Sequence, residues 1–173
     1  MNKELNWETE IRQKYEGLRL QARSQSKAEL AERIKTNPIP TADESDLGLF
    51  IERLEPQVRA SVLTLHQKGY STISSGFVPE NPQEQTISFY KEVQLAPKDK
   101  ETIEKLGAQV TIKPFRGIEG YYWEISFQAI EPNLNTIKSQ WDKISSLMPD
   151  TGHKPWRSRL ADEFEQKFPP KAP

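Results

Sequence analysis

The stretch QVTIKPFRGIEGYYWEISFQAI, residues 109–130, decides the fold class. Apolar and polar residues alternate along both of its halves, so strands are predicted over Gln109–Pro114 and Tyr121–Ile130, each with one apolar face. The glycine-containing segment 115–120 lies between them and predicts the turn of a β-hairpin. The residues that share the apolar face are Val110, Ile112, Trp123, Ile125, Phe127 and Ala129.

A second hairpin is predicted upstream of this one. Residues 70–77 are rich in Thr, Ser, Ile and aromatic side chains, and residues 86–90 alternate Ile87 and Phe89 with polar neighbours. The intervening segment 78–85 contains two prolines and predicts a loop. We therefore expect four strands that pair mostly antiparallel.

Apolar residues recur at the three- and four-residue intervals of a helix before, between and after the two hairpins. Thr41 followed by Glu44 predicts a capping box that starts the main core helix. Pro56 must kink or divide this helix, because proline has no amide hydrogen and clashes with the preceding turn. Shorter helices are predicted over residues 97–107 and 134–148. The apolar stripe of the core helix consists of Leu47, Phe50, Ile51, Leu54, Val58, Val62 and Leu65.

The element order αββαββα predicts an α+β fold, with a four-stranded, mostly antiparallel sheet and helices on one face. An N-terminal helical arm and a short C-terminal helix are expected in addition. Because the ββα unit occurs twice, the sequence leaves open two similar halves or a permuted ferredoxin-like sandwich.

Four regions are predicted along the chain. Residues 1–36 form an N-terminal helical arm, residues 37–43 a proline-containing linker, residues 44–149 the α+β core domain, and residues 150–173 a tail with a short amphipathic helix. An apolar stripe follows one face of the arm and is interrupted at residues 24–26. That stripe consists of Trp7, Ile11, Tyr15, Leu18 and Ala22.

The composition narrows the class of protein. Among 173 residues, 24 basic and 25 acidic side chains give a formal net charge of -1, so no global field attracts nucleic acid or an anionic membrane. There is no cysteine, which excludes disulfides, thiol nucleophiles and thiolate metal sites. Since no stretch is long and apolar enough for a membrane span, we expect a cytoplasmic protein with no membrane partner.

No residue is predicted to be catalytic or to bind a metal, and no cofactor is expected. The only histidines are His66 and His153, and they have no neighbours at metal-ligand spacing. Residues 74–76, Ser-Ser-Gly, lack the first glycine of a nucleophile elbow. A non-catalytic protein-interaction module or accessory protein is therefore the first expectation. A small enzyme whose site converges from distant parts of the chain is the third.

The predicted partner-binding site is the stripe Trp156, Leu160 and Phe164 in the C-terminal helix. These side chains are four residues apart and share one helix face, which suits docking into an apolar groove of a protein partner. The alternative is that the stripe packs onto its own domain. The N-terminal stripe has the same two interpretations, one of which is a homo-oligomer formed through that helix.

Nucleic-acid binding on the polar face of the sheet is the second function considered. Tyr90, Phe115 and Tyr122 have rings that can stack on bases, and Lys113 and Arg116 have charges that can hold phosphates. The aromatic strand pattern typical of RNA-binding sheets is absent, a glutamate shares this face, and basic residues are sparse. The sequence therefore allows this function without requiring it.

Overall fold

The computed structural model describes residues 3–90, 94–117 and 119–155, with side chains from residue 6 onward. In this part of the chain five α-helices, one 3₁₀ helix and a four-stranded antiparallel sheet confirm the predicted α+β class. The helices are α1 (Lys3–Thr36), α2 (Ala42–Leu47), α3 (Arg59–Gln67), α4 (Pro97–Glu104) and α5 (Leu134–Leu147), and the 3₁₀ helix spans Ile51–Arg53. The strands are β1 (Thr72–Val78), β2 (Asn81–Tyr90), β3 (Gln109–Pro114) and β4 (Tyr121–Gln128).

The sheet has the strand order β1-β2-β4-β3, so the two hairpins lie side by side with β2 and β4 in the centre. Ile87 is opposite Ile125, and Phe89 is opposite Trp123, on the face that also carries Phe127, whose ring lies 4.8 Å from that of Trp141 in α5. The rings of Phe89 and Trp123 stack with centroids 4.1 Å apart, and Tyr70 packs edge-on against both. This aromatic group and the helices α3 and α5 form the core, since burial of such large rings dominates core energetics.

The predicted main core helix is divided, but the first break lies at Gly48 and not at Pro56. The capping box is present: Glu44 N donates to the Thr41 hydroxyl at 3.3 Å, and Thr41 N donates to the Glu44 carboxylate at 2.6 Å. Gly48 then ends α2 with a positive φ of 71°. Pro56 lies between the 3₁₀ helix and α3, where its missing amide hydrogen interrupts no helical ladder.

The predicted loop over residues 78–85 is wrong. A two-residue turn joins β1 to β2, so most of this polar segment belongs to β2. The register shifts at the end of β1, and this irregularity accommodates Pro82 in the ladder. Gln85 is fully buried on the core face because Gln57 Nε2 donates to its side-chain oxygen at 3.3 Å. Gln57, which is distant in sequence, thus stabilises Gln85 within a strand, although the polar side chain of Gln85 by itself favours a loop.

The predicted interruption of the N-terminal helix at residues 24–26 is also wrong. α1 is continuous, and the Ser26 hydroxyl donates to the carbonyl of Leu54 at 2.9 Å, so this serine is a buried contact and not a break. Tyr15 is buried as well, and its hydroxyl donates to the carbonyl of Ala129 at 2.6 Å. α1 therefore packs against the sheet and the 3₁₀ helix. The division of the chain into arm, linker, core and tail stays a prediction.

Candidate functional site

The strand β3 forms one edge of the sheet and pairs with β4 alone in the described part of the chain. Phe115 N donates to the carbonyl of Gly120 at 3.0 Å, so these opposed residues are a hydrogen-bonded pair. Bonded and non-bonded pairs alternate along an antiparallel ladder, and the backbone groups of Val110 and Ile112 therefore point away from β4. Pro114 is next in this alternation and has no amide hydrogen to present.

An exposed apolar patch lies beside this edge, on the face of the sheet that carries the core. Ile112 is 69% exposed and Tyr121 is 59% exposed. They border a cleft of about 400 Å³ between the sheet and the beginning of α4. The other residues that line the cleft are Gln94, Leu95, Lys100, Val110, Tyr122 and Trp123. Large apolar side chains that are exposed together are typical of an interaction site.

Ile112 is exposed because no helix of the described residues covers it. Its cross-strand neighbour is Trp123, which is buried by its stack on Phe89. α4 packs against β3 and buries its own Ile103, yet it leaves Ile112 uncovered. The apolar face of the sheet therefore extends beyond the helical cover at Ile112, within the part of the chain that the structure describes.

The five residues predicted for nucleic-acid binding lie together at one end of the sheet. Tyr122 is opposite Tyr90 on β2 and opposite Lys113 on β3. The ring of Phe115 lies 5.1 Å from that of Tyr122, and Arg116 is exposed in the turn that follows β3. Because side chains alternate between the two faces of a strand, Tyr90, Lys113 and Tyr122 were predicted to share one face. The hairpin turn brings Phe115 and Arg116 beside them.

The positive charge on this polar face is compensated by Glu124. Lys113 forms an ion pair with one oxygen of the buried Glu124 carboxylate, and the Ser88 hydroxyl donates to the other oxygen at 3.1 Å. The Ser74 hydroxyl in turn donates to Ser88 at 3.2 Å. The hydrogen bond to Glu124 raises the pKa of Lys113. Lys113 is therefore charged but already neutralised, which reduces its attraction for a phosphate.

The two histidines lie in different settings. His66 is buried in the last turn of α3, where a positively charged imidazole would interact favourably with the helix dipole. His153 is exposed in the segment after α5. The described residues contain no group of three His, Cys, Asp or Glu side chains that could hold a metal ion. Within these described ranges, the structure thus adds no metal-site candidate to those predicted from the sequence.

The covering of the opposite edge of the sheet was missed by sequence reasoning. The Glu55 carboxylate accepts a hydrogen bond from the outward amide of Phe77 on β1 at 3.0 Å and another from Gln57 Nε2 at 2.8 Å. A groove of about 620 Å³ lies beside it, between α1, the 3₁₀ helix and β1. Glu55 and Phe77 are 22 residues apart, and no local pattern marks such a contact.

The predicted partner-binding residues Trp156, Leu160 and Phe164 lie outside the described residues. No family model matches the chain, and neither a curated protein nor a solved structure matches it. None of the helices in the described part is both long and apolar enough to cross a membrane. Function is therefore inferred from the geometry of this chain alone.

Proposed function

We propose that the protein is a non-catalytic interaction module that binds an extended segment of a protein partner by strand addition to β3. The observation that carries this proposal is the open edge of β3, where the outward backbone groups of Val110 and Ile112 lie beside an exposed apolar side chain. The cytoplasmic location expected from the composition is part of the proposal.

The geometry of the edge defines the chemistry of the partner. An added strand would form backbone hydrogen bonds with Val110 and Ile112, and alternate side chains would point to the same face of the sheet as Ile112. On that face lie Tyr121 and the cleft of about 400 Å³. A partner strand with apolar residues at alternate positions fits this surface, because each would cover exposed apolar area.

Two features that normally protect an edge strand leave the centre of β3 accessible. Lysine side chains often block edges, but Lys113 is on the polar face and is held by Glu124. Pro114 removes one amide hydrogen, yet it is the last residue of the strand. Both features limit the docking site to residues 109–113 and do not abolish it.

The proposal is tested with a displayed library of short random peptides, selected against the purified protein. We expect selected peptides with alternating apolar residues, and Ile112→Lys should weaken their binding at least tenfold because it places a charge on the apolar face of the edge. Ile130→Lys is the matched control, since Ile130 is 91% exposed and lies on neither β3 nor its cleft. Equal binding by both variants, or a selection that yields no peptide at a dilution where the chain is monomeric, would contradict strand addition at β3.

The C-terminal stripe is a second contact surface in this proposal. Trp156→Ala combined with Phe164→Ala should abolish binding of a protein partner while the melting temperature changes little, because a docking stripe contributes to the interface and not to the domain. Thermal unfolding of the double variant checks this. A large loss of stability would instead assign the stripe to the core of its own domain.

Nucleic-acid binding is the second candidate function. It is favoured by the rings of Phe115, Tyr122 and Tyr90, which lie together on the polar face of the sheet. Lys113→Ala together with Arg116→Ala should weaken a salt-sensitive association with single-stranded RNA or DNA. Fluorescence anisotropy with a labelled oligonucleotide at low salt measures this. No association at low salt, or unchanged affinity in the variant, would remove this candidate.

A further inference from the structure

We infer that the strand accepted by β3 is β3 of a second copy of this chain, so that two four-stranded sheets join antiparallel about a twofold axis at Thr111. The inference rests on the proposed function, because it names the occupant of the same edge. Its basis is that the exposed part of β3 is complementary to itself in backbone groups, in side chains and in charge.

The backbone groups match when Thr111 lies on the axis. Val110 of each copy is then opposite Ile112 of the other, and both residues point their N–H and C=O outward. Each of these two pairs forms two hydrogen bonds, so every outward group of Val110 and Ile112 obtains a partner. Any extended strand offers this spacing of outward groups, so the choice of a second copy depends on the position of Pro114, on the side chains and on the charge.

A neighbouring register is less suitable. If Ile112 lay on the axis, Val110 would be opposite Pro114 of the other copy, and Pro114 has no amide hydrogen to donate. The outward carbonyl of Val110 would then lose its donor. The position of Pro114 in the strand thus favours the register centred on Thr111.

The side chains support the same register. On the core face, each exposed Ile112 meets Val110 of the other copy, which buries apolar surface on both sides. On the polar face, Thr111 of each copy lies opposite Thr111 of the other, which brings two uncharged side chains together. Lys113 is opposite Gln109 of the second copy, so no like charges are brought together, and the formal charge of -1 per chain adds little repulsion.

The absence of cysteine allows a direct test by crosslinking. Thr111 would form a non-hydrogen-bonded pair with itself, and the Cα atoms of such a pair lie about 4.5 Å apart, within the range of a disulfide. Under mild oxidation, Thr111→Cys should form a disulfide-linked dimer. Lys113→Cys is the matched control: it is on the same face, but it would be four residues out of register with its own copy, about 13 Å away, and should not crosslink.

Light scattering on the wild-type chain completes the test. We expect a mass of twice 20.0 kDa that falls to the monomer value for Ile112→Lys and is unchanged for Ile130→Lys. A dimer that persists in Ile112→Lys, equal crosslinking of Thr111→Cys and Lys113→Cys, or crosslinking of Ile112→Cys in place of Thr111→Cys would overturn the inference. A monomeric wild-type chain would also overturn it. If that monomer still binds selected peptides through Ile112, the proposed function survives; if it does not, both fail.

Discussion

The two edge strands of the sheet, β1 and β3, differ in how far other parts of the molecule cover them. At β1 the outward amide of Phe77 is bound by Glu55, and the chain between α2 and α3 lies beside the strand. At β3 the outward groups of Val110 and Ile112 face away from the sheet, and the side chain of Ile112 is mostly exposed. The edge at β1 is thus covered at Phe77, whereas the edge at β3 carries no such contact within the described residues and lies beside exposed apolar surface.

The closed edge depends on charged side chains from several elements. Glu55 also accepts from Gln57 and lies 3.6 Å from Arg23 of α1. The segment before it is tied to α1 by Arg33, which binds Glu44 at 2.7 Å and Glu52 at 3.0 Å. These contacts hold the covering segment in place, and nothing comparable is found at β3 in the described part of the chain. This difference between the two edges supports the proposed strand addition at β3.

The variant with the largest expected effect is Gly76→Ala in β1, which should displace the Glu55 carboxylate from that edge. Gly76 has a φ of 112°, and a Cβ at this position would overlap the Glu55 carboxylate. We expect a loss of about 2–4 kcal/mol in the free energy of unfolding, measured in urea, from backbone strain and displacement of Glu55. Gly117→Ala is the control, since Gly117 also has a positive φ but has open space around it. An equal loss in both variants would show that Glu55 does not matter at this edge.

Removing the Glu55 side chain itself should have a smaller effect on the free energy of unfolding. Glu55→Ala leaves the Phe77 amide without its acceptor and should cost about 1–3 kcal/mol in urea unfolding. Glu55→Gln keeps one acceptor oxygen and should recover part of this loss. The alanine variant should also associate through β1, seen as a larger mass in light scattering. Wild-type stability in the alanine variant would mean that β1 is not protected by this contact.

Acid should weaken the covering segment selectively. Burial acts to raise the pKa of Glu44, but hydrogen bonds from Thr41 and Arg33 outweigh it, so the pKa is lowered. The stability from this carboxylate is therefore present above its unfolded pKa and is lost as the pH falls through its folded pKa. Glu44→Gln should cost about 1–2 kcal/mol at neutral pH, and the difference in melting temperature from wild type should shrink towards low pH. A difference that does not change with pH would contradict this origin.

The smallest effect on folding is expected at the open edge. Ile112→Lys should change the free energy of unfolding of the monomer by less than about 0.5 kcal/mol, because this side chain is already in water. Urea unfolding at high dilution measures it. A loss comparable to that of Glu55→Ala would mean that Ile112 belongs to the core, and the edge would no longer be a docking surface.

The sequence predicted those features that depend on local pattern. Alternation in residues 109–130 predicted the β3–β4 hairpin and the face of each side chain, and Thr41 with Glu44 predicted the capping box. It failed where a distant contact decides the outcome, as when Gln57 stabilises Gln85 within β2. Alternation assigned Ile112 to the apolar face, but whether a helix covers that residue depends on the position of α4, which has no signature in the sequence.

Amide hydrogen exchange tests the central claim most directly, because it compares the two edges in one experiment. In the dilute protein, we expect slow exchange at Phe77 and fast exchange at Val110 and Ile112. Saturation with a peptide selected on the wild-type chain should slow exchange at Val110 and Ile112 and leave Phe77 unchanged. If the two β3 amides are already as protected as Phe77 in the dilute monomer, or stay unprotected when the peptide is bound, the edge of β3 is not where this protein binds its partner.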